Sequence, residues 1–83
     1  MEYRINDLGH AAALLATGVK LAKLEPSESG RYKVFVFQCS EDDAEATIGK
    51  YQRHELMIDA YNFFMQIKEL KSLVMEGTPR RQR

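Results

Sequence analysis

The side chains best equipped for chemistry in this sequence are Cys39, His10, His54 and the carboxylates of Glu41, Asp42 and Asp43. His54-Glu55 opens like a zinc-hydrolase motif, but that motif needs a second histidine four residues after the first, so that both imidazoles share one helix face, and position 58 is Ile58. No other pairing among His10, His54, Cys39, Glu55 and Asp59 has a local ligand spacing, so the histidines are expected as satisfied or surface groups and no metal is expected. Cys39 stands where a strand hands over to a helix start, a place where amide dipoles can lower a thiol pKa. The carboxylates that follow disfavour a thiolate there, and packing as a small core side chain is the expectation. The acidic run lacks the alternating oxygen ligands and central glycine of a calcium loop. Gly18, Gly30 and Gly49 stand singly, so there is no phosphate-cradling loop, and no serine sits in a nucleophile elbow. The expectation is a protein that is not an enzyme, with no cofactor and no evident small-molecule substrate.

Two other groups of residues point to binding. Gly30-Arg31-Tyr32-Lys33-Val34-Phe35-Val36-Phe37 mixes basic and aromatic residues as base-stacking sheets do, but lacks the internal glycine and small residue of the RNA-recognition consensus. Phe35 and Phe37 are therefore expected under helices. Arg31, Tyr32 and Lys33, with Arg80, Arg81 and Arg83 near the C-terminus, remain candidates for contacting phosphates and stacking on a base; a solvated surface is the competing reading. The second group lies on the last helix, where Tyr61, Met65 and Met75 fall outside the main apolar stripe. They mark a second apolar face, either an association surface or a face wrapped by the other helices.

These groups must be positioned by a small chain. Its 83 residues suit one compact unit, and 45% hydrophobic with 29% charged residues is a globular composition. Twelve Lys plus Arg balance twelve Asp plus Glu, so a nucleic-acid or membrane partner would have to be met by a local patch. The lone cysteine and the absence of an opening signal segment lead to the expectation of a cytoplasmic protein, and the longest apolar run, residues 11–16, is too short to span a membrane. Residues 2–5 alternate as a short strand. Asn6 and Asp7 then precede a helix over residues 7–17, with Leu8, Ala11, Ala12 and Leu15 at helical spacing and Gly18 as its stop. Residues 19–25 read as a strand with a slip at Ala22-Lys23 that a bulge would absorb. The turn cluster Pro26-Ser27-Glu28-Ser29-Gly30 joins it to the strongest strand, residues 32–38, apolar on both faces and expected at the centre of the sheet. Ser40 caps a second helix. The Gly49 and Tyr51-Gln52-Arg53-His54 stretch allows one long helix or a break near residues 54–58, and the break is favoured. Asp59 then caps a final helix whose stripe is Ala60, Phe63, Phe64, Ile67, Leu70 and Val74.

The pattern Tyr3-Arg4-x-Asn6-Asp7-Leu8 leading into Ala11-Ala12-Ala13-Leu14-Leu15-Ala16-x-Gly18, then Lys20-Leu21 and Val34-Phe35-Val36-Phe37, resembles a bacterial and phage-associated family defined as a domain of unknown function. The resemblance extends to a terminal helix like Asp59-Ala60-Tyr61-Asn62-Phe63-Phe64. It implies a single βαββα-like domain and carries over no catalytic or binding residue. The whole reading is an α+β fold in the order β-α-β-β-α-α, with a small three-stranded, mainly antiparallel sheet packed by helices. Its core is drawn from Ile5, Leu8, Ala12, Leu15, Leu21, Val34, Val36, Phe63, Ile67 and Leu70, the domain covers residues 1–77, and residues 78–83 form a flexible basic tail. The expected function is a self-associating interaction module or a subunit of a larger assembly, with a nucleic-acid-binding accessory protein as the alternative.

Overall fold

A computed structural model of the protein describes residues 1–76. The tail with Arg80, Arg81 and Arg83 lies outside the described residues. The order is β1 (Tyr3–Ile5), α1 (Leu8–Ala16), β2 (Leu21–Pro26), β3 (Lys33–Phe37), α2 (Glu41–Gln52) and α3 (Ala60–Glu76). The sheet is antiparallel, with β3 between β1 and β2. Ala22 and Lys23 together face Val36, so the slip in the β2 pattern is a bulge that restores the alternation from Leu24 onward.

Helix boundaries follow from side-chain chemistry. Asp7 accepts from the His10 amide at 3.0 Å, Ser40 from the Asp43 amide at 3.1 Å and Asp59 from the Asn62 amide at 2.7 Å, each satisfying a first-turn donor. The ends of α1 and α2 are built alike. After α1 the Gly18 amide donates to the Leu15 carbonyl (3.0 Å) and the Val19 amide to the Leu14 carbonyl (3.1 Å), with Gly18 at φ 99°. After α2 the His54 amide donates to the Tyr51 carbonyl (3.2 Å) and the Glu55 amide to the Lys50 carbonyl (2.8 Å), with His54 in the glycine-like position at φ 64°. The break between α2 and α3 is this left-handed turn.

The strand alternation sorts the core. Phe35 and Phe37 point to the helices and join Ala11, Ala12, Leu14, Ala44, Ile48 and Leu70 in the buried cluster, against which Ile5, Leu8, Leu15, Leu21, Phe63 and Ile67 pack part-buried. The alanines of α1 let the helix pack closely against α3 and α2. Of the expected core, Ala12, Val36 and Leu70 are fully buried, Leu14 rather than Leu15 lies at full depth and Val34 is only part-buried, while Phe35 and Phe37 lie under the helices as expected. Val36 is fully buried on the opposite face, where Arg4 and Lys23 stand beside it in register and both ion-pair with Glu25, at 3.1 and 3.3 Å. Long side chains thus flank it on a face that carries no helix residue of the core cluster.

Tyr51 locks the helices together. Its ring meets His10 edge-on at 5.6 Å and Phe63 at 6.0 Å, and its hydroxyl comes so close to Gly9 that a Cβ there would sit 2.8 Å away. At the far end of α1, Asn62 of α3 donates to the Ala16 carbonyl at 3.4 Å.

Candidate functional site

The residues that looked able to do chemistry have structural surroundings. His10 packs on Tyr51 and lies 3.4 Å from the Gln52 amide group, while His54 is exposed in the turn that ends α2. Cys39 is part-buried against the core; burial pushes its thiol above the ordinary range, the Asp43 carboxylate pushes it further, and the N-terminal amine opposes them weakly. Glu45 is likewise raised, chiefly by the Glu41 charge one turn earlier. Among the described residues no group of three or more His, Cys, Asp or Glu side chains could hold a metal ion.

Two surfaces remain. The first is the outward side of α3. Phe63, Ile67, Leu70 and Val74 form its inward stripe at helical spacing. Phe64, expected on that stripe, is turned out and 56% exposed, because adjacent residues differ by about 100° around a helix and Phe63 holds the core position. Tyr61 is 71% exposed and Met75 59%, on the same side as Phe64, while Lys68 sets its ammonium 5.6 Å from the centre of the Phe64 ring. Met65 is half-buried and belongs to the margin of this face. Met57, just before the helix, is 91% exposed.

The second surface is a groove of about 760 Å³ between the β2–β3 hairpin, the start of α1 and the C-terminal part of α3. Leu8, Pro26, Phe35 and Val74 line its walls, and Arg31, Tyr32, Lys33, Lys71 and Met75 are also in its lining. The hairpin tip is held by the Ser27 amide donating to the Tyr32 carbonyl at 2.9 Å and by Ser27 and Ser29 hydroxyls 3.1 Å apart. The groove therefore brings together Arg31, Tyr32 and Lys33 from one sequence-predicted group and Met75 from the other. Tyr61 and Met65 do not line it. Ion pairs among the described residues join Arg4 to Glu2 and Glu25, Lys23 to Glu25 and Arg53 to Glu55; none involves Arg31, Lys33 or Lys71. Sequence reasoning missed Asn6, Leu8, Phe35, Lys71 and Val74 as groove residues. Their separation along the chain hides the grouping, and only the mixed character of the strand near Lys33 hinted at it.

An α+β domain with an antiparallel sheet, helices on one face and two candidate binding surfaces is the class of protein these features define. Within that class the chain belongs to the family described as domain of unknown function DUF5659, whose model matches residues 1–76. No curated protein and no solved structure matches the chain. No helix among the described residues is long and apolar enough to cross a membrane.

Proposed function

We propose that the protein is an interaction module without catalytic activity of its own, and that it associates with a second copy of itself through the outward side of α3. The observation that carries this reading is the exposure of Tyr61, Phe64 and Met75 along one side of a helix whose opposite stripe is already committed to the core. A face of large apolar side chains in a small soluble unit gains by being covered. A helix of 17 residues, about 25 Å long, is sufficient for a self-complementary pairing. The formal net charge of +0 supports a second copy as the occupant, since no net repulsion opposes association of like chains. Methionine and tyrosine suit such a contact, one by adapting its shape and the other by combining apolar area with a polar tip.

The test is the solution mass of the wild-type chain and of Tyr61→Asp and Phe64→Glu, by light scattering, with circular dichroism as the check on folding. The expected result is a dimer that becomes a monomer in both variants with the circular-dichroism spectrum unchanged, because neither side chain is in the core; melting falls only by the stabilisation that association supplied. A wild-type monomer at all concentrations would overturn the reading.

A second reading is favoured by the adjacent exposed Arg31 and Tyr32 at the hairpin tip, which is a nucleic-acid contact through phosphate pairing and base stacking. Its test is anisotropy of labelled single-stranded DNA, duplex DNA and RNA. Binding that falls steeply with salt, and that weakens in Arg31→Ala, is the supporting result.

A further inference from the structure

The groove beside the hairpin differs from the α3 face in being concave, walled by apolar groups and carrying charge of one sign. We propose that it is a binding site for a small amphipathic anion, an acyl or aryl body bearing a single carboxylate or phosphate. Its volume of about 760 Å³ falls in the range of small-molecule sites. Leu8, Pro26, Phe35 and Val74 offer an apolar body a place out of water. Arg31, Lys33 and Lys71 supply positive charge around them, and no acidic residue among the described ones lines the groove. These cations have no ion-pair partner among the described residues, so an anionic head meets charge that is not already neutralised. Arg31 adds the planar donor fork that matches a carboxylate or phosphate.

The same lining selects against other occupants. A bare inorganic anion would leave the apolar walls wet and gain nothing from them. A neutral chain would leave the cations unanswered. A nucleic-acid strand would meet Arg31 and Tyr32 at the hairpin tip but would leave the apolar walls at Leu8, Phe35 and Val74 unfilled. The site uses residues from three separate parts of the fold, with Lys33 and Phe35 on the central strand, Leu8 at the start of α1 and Lys71 and Val74 on α3, so its shape is fixed by the packing of the core.

The experiment is a nuclear magnetic resonance titration of the full chain with decanoate and with decyl phosphate, both below their micelle concentrations, alongside decanol and inorganic phosphate. The expected result is saturable binding of at least one of the two amphiphilic anions at one per chain, with shifts centred on Leu8, Phe35 and Val74. The tighter of the two identifies the head group. Decanol and inorganic phosphate should each bind at least about tenfold more weakly. Arg31→Glu and Lys71→Glu, both exposed positions whose substitution leaves the core intact, should each weaken binding by about tenfold with melting unchanged. Decanol binding as tightly as the anions, inorganic phosphate alone reproducing the shifts, indifference to both charge reversals, or no saturable shift in the groove would each overturn the proposal.

Discussion

At the scale of single residues, the local environments make two side chains testable. Cys39 is held protonated by burial and by the neighbouring Asp43 charge, so its thiolate fraction at neutral pH falls below that of a free cysteine. Iodoacetamide should therefore modify the native protein more slowly than a cysteine-containing unstructured peptide at the same pH; faster modification would revive a nucleophilic role. Glu25 is the converse case. The hydrogen bond from Arg4 holds its carboxyl below the ordinary carboxylate range against the opposing desolvation, and Lys23 adds a lesser lowering. A depressed folded-state value means that the contact contributes stability above the unfolded carboxylate pKa and loses it as pH falls through the folded value. The melting difference between wild type and Glu25→Gln should be present at neutral pH and should shrink on acidification. Because the pair is open to solvent, added salt should shrink it as well.

Among the secondary-structure elements, the two matched helix ends make predictions of opposite sign. Gly18 and His54 occupy equivalent left-handed positions after α1 and α2, one with the residue that tolerates that backbone and one without. Gly18→Ala should destabilise by about 1–2 kcal/mol. His54→Gly should stabilise by about 0.5–1 kcal/mol, since relief of backbone strain is partly offset by the greater freedom of glycine in the unfolded chain. Chemical denaturation of the two variants against wild type measures both. These ends also show what was legible in the sequence. The caps at Asp7, Ser40 and Asp59, the stop at Gly18 and the bulge at Ala22-Lys23 act locally, through a side chain and an amide a few residues away, and each is visible in residue order. The depth of each core residue is not local. Period two sets Val34 and Val36 against Phe35 and Phe37, and the phenylalanines lie under the helices as expected, but that Val36 is sealed while Val34 on the same face stays part-buried depends on the side chains that neighbouring strands place beside them. In the same way, Phe63 and Phe64 are equal in sequence, and only the placing of α3 against Leu14 and Phe37 decides between them.

Across the whole molecule, a fold with helices gathered on one side of a thin sheet leaves much of α3 in contact with solvent, and the chain places large apolar groups there. Tyr61 and Met75 were recognisable from helical spacing alone, because they lie off the stripe that a core needs. The groove was not, since Leu8, Phe35 and Val74 come from distant parts of the chain and meet only after the sheet and helices have docked. The association surface is the central claim, and the most direct test is a dilution series of the isotopically labelled protein followed by amide chemical shifts. Concentration-dependent shifts confined to Tyr61, Phe64, Lys68 and their neighbours on the outward side of α3, with Ala12 and Phe37 unchanged, are the result this reading predicts. Shifts centred instead on Val34 and the open sheet face, or spectra identical at every concentration, would contradict it.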